Sequence, residues 1–265
     1  MKFVKILLVL FAIVTIQVGP YYVDFAYSFT GVVKAVPQGI KFIQELANIG
    51  ETKGSKYVME ALEYSAKGMS NAGRTRYIQD NLLKVLMAQN KINKVQADEW
   101  LRNLGNVPGF EKALSKMAGM SETKFFGHGF EIETANALHR SGYKILEIGK
   151  SFKDGIKQGA TDIDLIASKG SKTYVFELKN YQPKNLDLIN PNSGPGPKTI
   201  DVIRGDMESL KAYRSQNPES VPVFVFRNKP PNSSSMDIIN AYGKTNNVKV
   251  LFGDPAVIAQ NLDLM

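Results

Sequence analysis

From residue 39 to about 120 the apolar positions recur three or four apart, in segments such as FIQELANI, YVMEALEYSAK, YIQDNLLKVLMAQNKI and ADEWLRNL. That spacing gathers them on one helical face, and the Gly or Asn between segments predicts a small helical bundle. The stripes within residues 81–86 and 100–104 read as packing faces that carry no chemistry. After residue 119 the texture changes. GFEIETANALHRSGY reads as a helix ended by Gly142, and KILEIGKSF, TDIDLIAS and KTYVFELKN as three strands. A polar loop over 181–198, rich in Asn, Pro and Gly, is expected to be mobile. A helix follows from about 199 to 215, then the strand PVFVFRN, a short helix near 237–242 and the strand VKVLFG. The order αβββαβ with an αβ tail predicts an α/β sandwich around a mixed sheet. The expected organisation is thus a helical region over 29–121 and an α/β domain over 122–265.

Polar residues interrupt the central strands in a regular way. Asp162 and Asp164 are two apart and share one strand face, and Glu177 and Lys179 do the same on the next strand, while Tyr174, Phe176 and Leu178 take the opposite face. A two-residue turn on Gly170-Ser171 closes the hairpin between them. With the turn centred there, Asp164 lies opposite Glu177 and Asp162 opposite Lys179. Two carboxylates directly opposed, with Cβ atoms ~5 Å apart, destabilise a hairpin unless one is protonated or a cation lies between them. The arrangement that is costly for a purely structural hairpin is the one a carboxylate metal site requires.

Composition narrows the choice of ion. The chain has no cysteine and two histidines, His128 and His139, so thiolate sites and His-rich zinc sites are excluded. A metal must be held mainly by carboxylates and carbonyls, which suits Mg²⁺, Mn²⁺ or Ca²⁺. Held by Asp164 and Glu177, such an ion suits phosphodiester hydrolysis. Lys179 is placed to orient or deprotonate a bound water, or to offset charge developing on phosphorus, and the Leu178 carbonyl is a further candidate oxygen ligand.

These residues resemble the PD-(D/E)xK, or restriction-endonuclease-like, superfamily. Gly129-Phe130-Glu131, Leu138, Gly142-Tyr143, Thr161-Asp162-Ile163-Asp164-Leu165-Ile166 and Val175-Phe176-Glu177-Leu178-Lys179 are similar to its Holliday-junction-resolvase-like and bacterial toxin nuclease branches. The resemblance covers about residues 125–253. It implies an αβββαβ core and Mg²⁺-dependent endonuclease activity on DNA or RNA, with Asp164, Glu177 and Lys179 at the matching catalytic positions. It also implies a helix glutamate. Glu131 has Ala135, Leu138 and Gly142 along its face and is preferred to Glu133, whose face continues into Ala137 and Arg140. Thr161 stands where the superfamily's usual proline precedes the motif Asp. Asp162 has no fixed place in the pattern; it either ligates a second ion or pairs with Lys179. The expected metal set is Asp164, Glu177, Leu178, Glu131 and Asp162.

The remaining features place the chain in a setting. Residues 1–28 carry two lysines, an apolar run from 6 to about 18, and the small-residue site Ala26-Tyr27-Ser28, the pattern of a secretory signal peptide cleaved near Ser28. The run is shorter than the ~20 residues of a spanning helix, so no stable span is expected after cleavage, and a retained anchor is the competing reading. The net charge of +8 lies mainly outside the α/β region: 18 Lys+Arg stand against 16 Asp+Glu in 122–265, and 13 against 8 in 29–121. An excess this mild reads as a solvated face. Lys198, Arg204 and Lys211 are candidate phosphate contacts, and the histidines read as helix-end and surface residues. The expectation is an exported nuclease, secreted or periplasmic, acting as an antagonistic toxin or effector with nucleic acid as substrate and a cognate immunity protein as partner. The competing reading is a catalytically inactive nucleic-acid-binding or interaction protein on the same fold.

Overall fold

The computed structural model describes residues 39–119, 122–153, 161–189 and 196–264. The signal-peptide expectation for residues 1–28 lies outside these. Among the described residues no helix is long and apolar enough to cross a membrane. The chain divides into two compact units, one holding residues up to 105 together with 114–122, the other 106–113 together with 123–265.

The first unit is helical. It contains α1 (Ile40–Lys53), α2 (Ser55–Ser65), α3 (Asn71–Ala88) and α4 (Lys94–Leu104). Each expected periodic segment falls mainly in one of these helices, though those over 57–67 and 77–92 run past the helix ends at Ser65 and Ala88, and Leu46, Leu62, Ile78, Leu82, Leu86 and Trp100 are buried. Local chemistry sets the helix starts: Ser70 accepts the Gly73 N–H, and Asn93 and Gln96 form a reciprocal capping box. The next helix, α5 (Phe110–Ala118), begins in the segment 106–113, which belongs with the second unit. That segment falls inside the stretch expected to be purely helical. It is tied to the sheet because the Ile148 N–H donates to the Pro108 carbonyl at 2.9 Å. Gly109, at φ 85°, lets the chain pass so close that a Cβ there would stand 1.8 Å from the Ile148 oxygen.

The second unit is an α/β layer structure. It runs α6 (Glu122–Arg140), β1 (Lys144–Phe152), β2 (Thr161–Lys169), β3 (Lys172–Lys179), a single 3₁₀ turn (Pro183–Leu186), α7 (Gly196–Gln216), β4 (Ser220–Phe226), α8 (Ser233–Asn246), β5 (Lys249–Phe252) and α9 (Pro255–Asp263). The strands form one mixed sheet in the order β1-β2-β3-β4-β5, antiparallel across the first three and parallel across the last three. The β2–β3 turn has Gly170 at φ 60°, and Lys169 pairs with Lys172, which is the register expected from the turn position.

Alternation sorts the sheet residues between two faces. Ile166, Val175, Phe224 and Phe226 pack with Ile203, Met207 and Leu210 of α7 and Ile239 of α8 in one buried cluster. Tyr174, Phe176 and Leu178 point the other way and are also buried, with the Tyr143 ring meeting Tyr174 edge-on at 5.7 Å. Glu177 and Lys179 therefore share the face of α7 and α8.

Four elements differ from expectation. The expected loop 181–198 contains the 3₁₀ turn, and Leu186 and Leu188 are buried, with the Leu188 N–H donating to Ser235 Oγ at 2.9 Å. Helix α7 begins at Gly196, and α8 spans Ser233–Asn246 because Asn232 caps its first turn by accepting the Ser235 N–H. Helix α9 was not expected; it starts where Asp254-Pro255 supplies a helix entry.

Candidate active site

The β2–β3 ladder runs from the turn as far as Leu165↔Phe176 and stops. Continued, it would set Asp164 against Glu177 and Asp162 against Lys179. From that point β3 goes on pairing with β4, through Leu178↔Val225 and Lys179↔Phe226. The strands part where two carboxylates would otherwise face each other, as like-charge repulsion favours. The Leu178 N–H donates to Asp164 Oδ2 at 2.8 Å, so it is the side chain of Asp164 that bridges the opening.

Glu177 is 8% exposed and Lys179 beside it is nearly as buried. The Lys179 ammonium pairs with Glu177 Oε1 and lies 2.9 Å from Asp206 Oδ2 on α7. Burial raises the Asp164 carboxyl well above the usual carboxylate range, and the charges of Glu177 and Glu131 push it the same way, against Lys179 and the Leu178 N–H. Glu177 is pushed up to about 7, by burial first and by Asp206 and Glu131 next, against the pull of Lys179. For Lys179 burial acts downward, but Glu177, Asp164 and Asp206 outweigh it and the ammonium is held well above its ordinary value.

The fourth acid comes from α6. Glu131 is 9% exposed, and its charge is felt by both Asp164 and Glu177. His128, one turn earlier, has Nδ1 2.8 Å from Glu131 Oε1, an ion-pair separation without the alignment of a hydrogen bond. It sits inside α6, whereas His139 is exposed in the last turn. Glu133 faces elsewhere and pairs with Arg227 Nη1 at 3.1 Å. Burial nevertheless raises its carboxyl.

Asp162 does not make the expected pair with Lys179. Its register partner is Ser151 on β1, and its carboxylate lies 3.7 Å from Lys112 of α5. The ladder has ended before Lys179 is reached, and Lys179 is engaged by Glu177 and Asp206. With its side chain 39% exposed, Asp162 is a surface ion pair, worth less than about 1 kcal/mol. If the expected nuclease activity is present, replacing Asp162 with alanine is expected to leave cleavage within about twofold of wild type, measured as initial rate; a loss comparable to that of the Glu177 variant would return it to the ligand set.

Asp206 is the residue that sequence reasoning passed over. It lies beside Met207 and between Ile203 and Leu210, whose full burial marks the inward face of α7. An acid adjacent to such a stripe is the signal that was available. Of the basic candidates near it, Arg204 is exposed and donates from Nη2 to the Tyr242 hydroxyl at 2.6 Å, and Lys211 is exposed. The Lys198 side chain lies outside the described residues.

Among the described residues no group of three or more His, Asp or Glu side chains stands in a ready metal cage. The carboxylates of the expected ligand set are not gathered at one point: Asp162 is turned to Lys112, and Glu177 is engaged by Lys179. The charge balance nevertheless fits a hard cation. Glu177 and Glu131 act on Asp164, and Asp206 and Glu131 act on Glu177, with the Lys179 ammonium opposing both. Carboxylates forced upward by burial and mutual repulsion are relieved by a divalent ion. Comparison with family models, curated proteins and solved structures finds no match.

Proposed function

We propose that the α/β unit is a metal-dependent nuclease with a restriction-endonuclease-like core that hydrolyses phosphodiester bonds of DNA or RNA. The observation that carries this reading is the parting of β2 and β3 around Asp164 and Glu177, with Lys179 on the same face. Asp164 and Glu177 are the oxygen donors that would hold Mg²⁺ or Mn²⁺, with Glu131 as an outer carboxylate. When bound, the ion supplies Lewis-acid polarisation of a phosphate oxygen and a more acidic water. Everything else falls to the chain. The Leu178 N–H fixes the rotamer of Asp164. Phe224 and Phe226, fully buried on the neighbouring strand, exclude water from beneath Glu177 and Lys179 and strengthen the local field. Lys179, a protonated donor, offsets the charge that gathers on the phosphate oxygens.

The signal-peptide pattern and the helical unit ahead of the α/β unit support an exported antagonist, a toxin or effector countered by an immunity protein. The test of the activity is digestion of duplex DNA, single-stranded DNA and RNA with Mg²⁺, with and without chelator. Cleavage of at least one substrate is expected, abolished by chelator and reduced at least ~10²-fold in Glu177→Ala and Lys179→Ala. Chelator-resistant cleavage unchanged in both variants would sink the proposal.

A further inference from the structure

The geometry points to Asp206 as the residue that positions Lys179 for the reaction. This rests on the nuclease reading of the site. A lysine stem has four rotatable bonds, and Glu177, its hydrogen-bond partner two residues away on the same strand, is the group that a bound cation would draw away. Asp206 comes from another element. Its carboxylate lies 2.9 Å from Lys179 Nζ, and both side chains are largely shielded, at 15% and 18% exposure. Helix α7 cannot shift freely, because Ile203, Met207 and Leu210 are fully buried in the cluster with Val175 and Phe224. The helix thus holds an acid at a fixed point beneath the strand.

The ammonium donates to Glu177 and is ion-paired with Asp206, so two carboxylates from two elements confine its position. The N–H groups not given to Glu177 remain for a phosphate oxygen. When Glu177 turns to a cation, Asp206 keeps Lys179 in place. Asp206 does this without touching substrate, through its ion pair with Lys179.

The full-length protein carrying Asp206→Asn, Asp206→Glu or Asp206→Ala tests this. For Asp206→Asn, kcat is expected to fall about 10–100-fold with KM for the nucleic acid and the Mg²⁺ midpoint within about twofold of wild type; Asp206→Glu should recover most of the loss. Unchanged kcat in Asp206→Asn and Asp206→Ala would overturn the assignment. A Mg²⁺ midpoint shifted tenfold would also overturn it, making Asp206 a ligand. A second readout does not need activity. The ¹⁵Nζ–H signal of Lys179, identified by its loss in Lys179→Arg, should be sharp in wild type and broadened in Asp206→Asn. Equal sharpness in both overturns the positioning role even if the wild type cleaves nothing. Absence of cleavage would by itself count only against the nuclease reading.

Discussion

Asp164→Asn is expected to lower cleavage by at least ~10³-fold while raising the thermal midpoint of the metal-free protein. The two effects have one origin. An asparagine keeps an oxygen to accept the Leu178 N–H, so the bridge across the strand opening survives. It removes a carboxylate that burial and the charges of Glu177 and Glu131 oppose, and its amide can donate to a neighbouring acid. Relief of one such group is worth about 1–3 kcal/mol. For a unit of this size that is about 3–10 °C. Calorimetry in chelator and a digestion assay on the same preparation check both halves. A variant that is inactive because it is less stable would defeat the explanation, since the site would then be a structural hairpin.

The second large effect is a dependence of stability on pH whose sign is unusual for a carboxylate. Most folded-state carboxylates are held low and add stability above their unfolded value. Glu177 is raised from 4.5 to about 7, so between those values the folded state keeps a proton that the unfolded state has released. Stability is then highest below pH 4.5 as far as this group is concerned, falls as the pH rises, and reaches its full deficit above about pH 7. The deficit is on the order of 3 kcal/mol. Asp164 and Glu133, raised for the same reason, act in the same direction. Asp263, held low by hydrogen bonds from Lys169 and Tyr143, titrates beneath this window. In chelator the midpoint should drop by about 5–10 °C from pH 5 to pH 7.5. Excess Mg²⁺ should shrink that drop, because binding favours the ionised carboxylates and stabilises by about 2.7 kcal/mol at a hundredfold excess over Kd. A metal-free midpoint that is flat or rises over this range would contradict the buried acidic cluster.

Much of the sheet was legible because its residues are constrained twice. KILEIGKSF, TDIDLIAS and KTYVFEL alternate or run apolar, and Gly170 fixes where the chain reverses, so the strands and the register from Leu165↔Phe176 to the turn followed from sequence. Where that register ends was not legible. The parting at Asp164 goes with its side chain accepting the Leu178 N–H, a contact that alternation does not show. Asp162 was assigned to the site by alternation alone, and its pairing with Lys112 comes from a segment that sequence placed in the helical region. Asp206 escaped because the period of α7 tells which residues face inward but not what they face. Leu186 and Leu188 were hidden in a loop of polar composition, although both are buried. In each case the missing information was a contact between distant segments, which periodicity does not encode.

The most direct test of the central claim is calorimetric titration of Mn²⁺ into the wild type and Asp164→Asn at neutral pH. The wild type should bind with protons released to the buffer, since Asp164 and Glu177 must ionise to receive the ion, and Asp164→Asn should bind at least ~10-fold more weakly. Equal binding by the two proteins, or none by the wild type, would contradict the assignment of this carboxylate pair as a cation site.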